Sequence, residues 1–304
     1  MQKIVLGAKV ASAPIALGCM RLAGLNLAAA EQLVHTALEE EIDLFDHADI
    51  YGQGQSEVIF GQVLKRNPSL RDKLLIQDKC SIRQGYYDAS AEHITAAVDQ
   101  SLKRLGVESI DILLLHRPDA LIEPEEVAGA FDALEQAGKV KYFGVSNYNA
   151  AQIQFLQAFV KQKLMINQLQ FSLAHTALID SGINVNMQSD YALDRTGHTL
   201  EYCRLHNLTI QAWSPFQHGM FEGVFLTSEK YEALNKQIRI LADQKGVTDG
   251  AIAVAWIMRH PARIQTIVGT TNVQRLRDIC KAPRVHLSRE EWYGLYKAAG
   301  NPLP

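Results

Sequence analysis

A single (β/α)8 barrel covering residues 1–304, with an N-terminal hairpin and extra C-terminal helices, is the fold class this sequence predicts. Three observations predict it. Short apolar runs alternate with longer amphipathic segments over almost the whole length. The runs are continuously apolar and rich in Leu and β-branched residues, as suits parallel strands covered on both faces. Eight such runs, nearly all followed by a helical pattern, specify a closed TIM-type α/β barrel more economically than an open sheet.

In chain order the strand runs are Pro14–Gly18, Asp43–His47, Leu74–Lys79, Ile110–His116, Tyr142–Asn147, Met165–Phe171, Leu208–Ser214 and Ile264–Gly269. Between them, Ala28–Glu40 places Leu33, Ala37 and Leu38 at helical spacing, and Ser56 is expected to cap a helix containing Ile59, Phe60 and Val63. Ser90–Leu105, Glu125–Ala137, Ala150–Phe159, Thr199–His206, Glu229–Gln244 and Val273–Cys280 follow the same logic, and Gly138 closes the fourth helix. The first 13 or so residues suit a small hairpin under the barrel, and Asp249–His260 and Arg289–Ala299 read as added helices. Two stretches break the rhythm as long loops, His175–Asp194 and His218–Leu226, each following a strand on the face where barrel enzymes place their sites.

Composition excludes several classes of function. A net charge of −3 gives no field to attract nucleic acid or anionic lipid. No apolar run approaches the ~20 residues of a membrane span, and the N-terminus carries no apolar signal core. Cys19, Cys80, Cys203 and Cys280 are widely spaced and read as reduced thiols of a cytoplasmic protein. The ten histidines form no H-x-H or H-E-x-x-H pair, so no metal is expected, and no G-x-S-x-G elbow marks a serine hydrolase. Gly52-Gln53-Gly54 begins like a dinucleotide fingerprint, but Glu57 stands at the third glycine position.

Polar residues interrupt the apolar runs where each strand ends. Asp46 ends the second strand, Lys79 the third, His116 the fourth, Ser146 and Asn147 the fifth, and Trp213-Ser214 the seventh; Gln168 lies in the sixth. Taken singly, each has an ordinary explanation as a cap, a snorkelling cation or a hydrogen-bonded core residue. In a barrel these ends converge on one mouth, so one shared site accounts for all of them. Tyr51 follows Asp46 by five residues and falls beside the same mouth. A free phenol has a pKa of ~10. An ammonium ~4 Å away, at an effective dielectric of ~20, favours the phenolate by up to ~4 kcal/mol, which would bring Tyr51 near neutrality as an acid–base group. Asp46 would hold Lys79 charged, and a neutral His116 would orient a carbonyl. No residue here is a hydride source, so a cofactor must carry it.

These residues resemble the aldo-keto reductase superfamily. The segment from Leu44 to Gly52, followed by Glu57 and Gly61, is similar to the family's first signature; Lys79 stands at its lysine position. Asp111–Pro118 resembles its histidine strand, and Gly138–Asn147 the segment ending in its nicotinamide-binding Ser-Asn pair. The likeness runs from about residue 14 to about residue 282. Finer features, Phe171–His175 and His218–Phe221, are similar to the bacterial YdhF-type oxidoreductases.

The resemblance implies an NADP(H)-dependent oxidoreductase that reduces aldehydes or ketones, with Asp46, Tyr51, Lys79 and His116 as catalytic tetrad. It implies that Asn147 and Gln168, helped by Ser146, hold the nicotinamide carboxamide, and that Trp213 stacks under the ring. Gly18, Met20 and Asp46 would border the cofactor, and Ser214 and Pro215 would begin the loop along its pyrophosphate. Gly269, Thr270 and Thr271 would enter the last helix at an anion site made of free N–H groups, with Arg275 against the adenine and 2′-phosphate. The sequence departs from many relatives at Gly269, where they carry Lys, and in a final helix reading Leu276-Arg277-Asp278-Ile279, so the preference for NADP(H) rests on Arg275. Asp78, beside Lys79, is expected to face away from the site, because neighbours on a strand point to opposite sides. Expected partners are a small-molecule carbonyl substrate and neither nucleic acid nor membrane, with the chain a monomer or weak oligomer. Two other readings compete: a Schiff-base lyase acting through Lys79, and a non-enzymatic regulatory module like the potassium-channel β subunits of the same family.

Overall fold

A computed structural model describes residues 1–220 and 222–303. Phe221, part of the His218–Phe221 segment noted above, lies outside the described residues. Eight parallel strands close into a barrel: β1 (Ile15–Gly18), β2 (Leu44–Asp46), β3 (Leu75–Cys80), β4 (Ile110–Leu115), β5 (Val140–Ser146), β6 (Leu164–Gln170), β7 (Thr209–Trp213) and β8 (Gln265–Val268). β8 pairs with both β7 and β1, which removes any free edge. The predicted barrel and all eight strands are present. The predicted hairpin is Ile4–Leu6 against Val10–Ser12, and Gly7, in its turn, lies against Met165 of β6.

Around the barrel run α1 (Leu27–Glu39), α2 (Gln55–Arg66), α3 (Ala91–Leu105), α4 (Pro124–Gln136), α5 (Ala150–Gln157), α6 (Ala177–Ile183), α7 (Thr199–Leu205), α8 (Glu232–Lys245), α9 (Asp249–Met258), α10 (Val273–Ile279) and α11 (Arg289–Ala298). Local chemistry sets their ends. Ser90 caps α3 by accepting from His93 N–H, and Gly138, at φ 68, turns the chain after α4.

Three details differ from the sequence reading. Ser56 does not cap α2; it lies inside the helix, and its hydroxyl donates to Met20 O and accepts from Ala23 N–H, tying α2 to the loop after β1. The stretch after β6 is not all loop, since α6 forms within it. Of the two added helices, α9 is not C-terminal: it lies between β7 and β8 and buries the unbroken run from Ala251 to Ile257. The loop after β7 folds back as a two-residue ladder, Gln217–His218 with Gly223–Val224. Gln170 and Ser172, from the end of β6, pin it by donating to Gly219 O at 2.5 Å and Gln217 O at 2.8 Å. Among the described residues, no helix is long and apolar enough to cross a membrane.

The inside of the barrel changes character along its axis. Its lower part is apolar, with Ala16, Leu44, Ile112, Leu114, Ile166 and Ile267 packed together. Gly144 permits that packing, because a Cβ there would meet Leu114 Cδ2 at 2.7 Å and Ile166 O at 2.8 Å. The polar residues gather above, toward the C-terminal strand ends.

Candidate active site

Asp46 and Lys79 project inward from the ends of β2 and β3 and form an ion pair, with Lys79 Nζ 2.8 Å from Asp46 Oδ1. The Lys79 side chain is fully buried, and its three donors are all used: the other two go to His47 O at 2.6 Å and Tyr51 Oη at 3.2 Å. Tyr51 reaches this point because the chain turns after β2 through Tyr51 N–H to Ala48 O, and Gly52 follows in the left-handed region at φ 57. His116, one residue past β4, sets its ring edge-on to Tyr51, with centroids 6.1 Å apart. All four residues of the expected tetrad therefore meet at one point.

The electrostatics agree in direction with two sequence expectations and run against a third. Burial works against the Lys79 charge, but Asp46 and Tyr51 outweigh it and hold the ammonium above its ordinary range. Burial, then Lys79 and Arg117, keep His116 well below its ordinary range and hence neutral; its Nδ1 is buried without a partner while the residue lines the cavity. The expected lowering of Tyr51 toward neutrality does not occur. Burial pushes its phenol up to about 12, Lys79 opposes this, and Asp46 cancels part of the Lys79 field. The sequence reading counted the attraction of a cation but neither the loss of water around a phenolate nor the carboxylate behind the lysine. A buried, fully hydrogen-bonded, charged Lys79 is also a poor Schiff-base nucleophile, which sets the lyase reading aside.

Beneath the pair lies a feature the sequence did not single out. Asp46 Oδ1 also accepts from Gln77 Nε2 at 2.6 Å and Gln168 Nε2 at 3.0 Å. Both amides donate to Gln211 Oε1, at 2.8 and 2.9 Å. Gln211 donates to Gln265 Oε1 at 2.8 Å, and Gln265 donates to Ser12 Oγ and Ala13 O at 3.1 and 2.6 Å. This chain of buried amides runs from the Asp46 carboxylate to the hairpin at the opposite end of the barrel. One signal was available: Gln77 stands two residues before Lys79 and Gln211 two before Trp213, so each shares an inward face with a site residue.

One cavity of about 1310 Å³ spans the mouth. Gly18, Met20, Asp46, Tyr51, His116, Ser146, Asn147, Gln168, Trp213, Ser214, Pro215, Gly269, Thr270 and Arg275 line it, as the sequence reading placed them. Lys79 lies behind its wall, and Thr271 is not part of the lining. Asn147, left-handed at φ 64, donates to His116 O and Ser146 Oγ and accepts from Trp213 Nε1 at 3.1 Å, which fixes the indole at the end of β7. The anion site expected at the start of α10 is reduced: Asn272 Oδ1 takes Arg275 N–H at 2.8 Å, and Thr270 Oγ1 takes Asn272 N–H at 3.2 Å. Arg117, Ile82, Phe216, Gln217 and Gln274 also line the cavity and were not assigned to it from sequence.

A closed barrel with an Asp–Lys–Tyr–His cluster at its C-terminal mouth defines an oxidoreductase-type site, and comparison with known proteins gives its family. The Aldo/keto reductase family model matches residues 14–298, so the chain belongs to that family. It is 35% identical over 312 residues to a 6-dehydroglucose reductase of Agrobacterium fabrum, covering 98% of both chains. It is 33% identical over 296 residues to oxidoreductase YdhF of Escherichia coli, covering 93% of this chain and 92% of the relative, which supports the YdhF-type reading. Among solved structures, an aldo-keto reductase from Klebsiella pneumoniae in complex with NADPH superposes with a TM-score of 0.79 at 23% identity, covering 100% of this chain and 96% of that one.

Proposed function

We propose that this chain reduces aldehydes or ketones to alcohols with hydride from NADPH, Tyr51 supplying the proton. The observation that carries the reading is the contact of Lys79 Nζ with Tyr51 Oη at 3.2 Å, behind the wall of a cavity that Tyr51 and His116 both line. The residues present suit the cofactor. Gln168 uses its Nε2 downward, on Asp46 and Gln211, and leaves its carbonyl oxygen to accept from a carboxamide. Arg275, exposed at the far end of the cavity, has no carboxylate partner among the described residues and suits a phosphate. NADPH is also what the Klebsiella pneumoniae structure contains. When bound, the cofactor supplies the hydride.

The chain's own residues do the rest. Tyr51 and neutral His116 direct hydrogen-bond donors at one carbonyl oxygen and fix its orientation. A phenol held up at about 12 stays protonated at neutral pH, which is the form a general acid needs. As negative charge builds on the substrate oxygen, the proton passes to it from Tyr51 Oη. The phenolate left behind lies beside the Lys79 ammonium, which Asp46 holds in place, so the stabilisation is largest after transfer begins. Tyr51→Phe tests this: aldehyde-dependent NADPH oxidation is expected to fall ~10²–10⁴-fold while NADPH binding, followed by fluorescence, persists. Equal rates would refute the role of Tyr51.

A further inference from the structure

The catalytic end of the cavity holds one charge that the proton-transfer machinery does not use. Arg117 follows His116 directly and lines the same cavity. Its backbone is fixed, with N–H donating to Ser81 Oγ and the carbonyl accepting from Ser81 Oγ and Tyr148 Oη. Its guanidinium, by contrast, has no carboxylate partner among the described residues; its hydrogen-bond contact is Nη2 to Met220 Sδ at 3.7 Å, a weak acceptor. The loops after β2, β3 and β7 contribute Ile50, Ile82, Tyr87 and Met220 to the lining of the same cavity.

Among the described residues, no acid lining the cavity pairs with it. Of the acids lining the cavity, Asp46 is paired with Lys79, and Asp249 and Asp278 belong to α9 and α10 in the half that holds Arg275. Asp278 is itself paired with Lys281. Arg21, the other cavity cation near the mouth, donates to Gly269 O beyond β8, also toward Arg275. Arg117 is near enough to His116 to help keep it neutral, so its field reaches the reacting end. A half-buried guanidinium among apolar walls is poorly solvated, and it presents a planar fork suited to two oxygens at once.

The geometry points to Arg117 as the anchor for an anionic group of the substrate, so that the site takes aldehydes bearing a carboxylate or comparable oxyanion. This rests on the reductase reading above and assigns its substrate class. The carbonyl lies between Tyr51 and His116 while the oxyanion pairs with Arg117, and the apolar side chains hold what joins them. A neutral analogue leaves the guanidinium desolvated and unpaired and is selected against for that reason.

The test compares 4-formylbenzoate with its neutral methyl ester as substrates, by NADPH oxidation. The wild type is expected to favour the carboxylate in kcat/KM by about 10- to 100-fold, the worth of one charged hydrogen-bonded pair. Arg117→Met is expected to abolish that ratio, and Arg117→Lys, which keeps the charge without the fork, to retain part of it. Because the readout is a ratio within each variant, a general loss of folded protein does not alter it. A wild type that turns over the ester as well as the carboxylate, or a ratio unchanged in Arg117→Met, overturns the anchor and leaves the reductase reading standing. Failure to oxidise NADPH with either aldehyde overturns both.

Discussion

β3 presents opposite chemistry on its two faces. Inward, Gln77 and Lys79 join Asp46 in a network where Asp46 Oδ1 accepts three N–H groups within 3.0 Å. Outward, between the same two residues, Asp78 is buried against Glu57 of α2 and Asp49 of the loop after β2. There, one oxygen of each acid, Asp78 Oδ2, Glu57 Oε1 and Asp49 Oδ1, has no hydrogen-bond partner. Arg104 of α3 pairs with Glu57 at 2.7 Å. Burial, then Glu57, hold Asp78 well above the usual carboxylate range, and the same two causes push Asp49 up to about 7. Buried carboxylates one residue-width apart therefore differ by their partners. The inner one is matched to a cation and to amide donors; of the outer ones, Asp78 and Asp49 are pushed toward their protonated forms while Glu57 takes the one guanidinium. This is the contrast expected when one face is organised around charge and the other is filled by packing.

The contrast is sharpened first on the inner face. Gln77→Leu removes a donor from Asp46 and an acceptor from Gln211 Nε2. A loss of ~1–3 kcal/mol in urea unfolding is expected, the cost of buried polar groups left short of partners, with a drop in kcat of about tenfold, since one kcal/mol or so of ion-pair positioning is lost. An unchanged kcat would make the amide chain purely structural.

A smaller effect is expected on the outer face, with a definite sign. Asp49 has a folded-state pKa of about 7 against an ordinary value of 3.8. Between those values the folded state binds more protons than the unfolded, so stability falls as pH rises through that window. Asp49→Asn removes the titration. Its gain in urea midpoint should correspond to ~1–2 kcal/mol at pH 8, part of what a buried unpaired carboxylate costs, and shrink as pH falls through the window, reaching nothing only below the ordinary value of 3.8. An equal effect at both ends of the window would mean that Asp49 is not held protonated by its surroundings.

The same two faces show what the sequence disclosed. The eight strands were legible because a parallel strand buried on both sides is apolar throughout, and Asp46, Lys79 and His116 stood out as exceptions to that rule. Gln77 and Gln211 are exceptions too, but a lone amide carries no charge to mark it, and only the closed barrel brings residues 134 apart in sequence into contact. α6 was hidden for a related reason. Gly182 and the Asn and Asp residues around it read as loop, and one anchor of the helix is remote: Tyr296 of α11 donates to Asp180 at 2.8 Å, beside the local bond from Thr176 to the other oxygen of the same carboxylate at 3.1 Å. The direction of the Tyr51 shift was unreadable because it depends on how completely water is excluded, a property of the fold and not of spacing.

The central claim is that Lys79 acts on the reaction through Tyr51, and a double-mutant cycle measures this most directly. Aldehyde-dependent kcat would be determined for Lys79→Met, Tyr51→Phe and the double variant, with NADPH affinity measured alongside. If the ammonium serves to stabilise the Tyr51 phenolate, removing the lysine from a chain already lacking the phenol costs little more, and the double variant matches the worse single one. Losses that multiply across the two positions would show that Lys79 and Tyr51 work independently and would contradict the account.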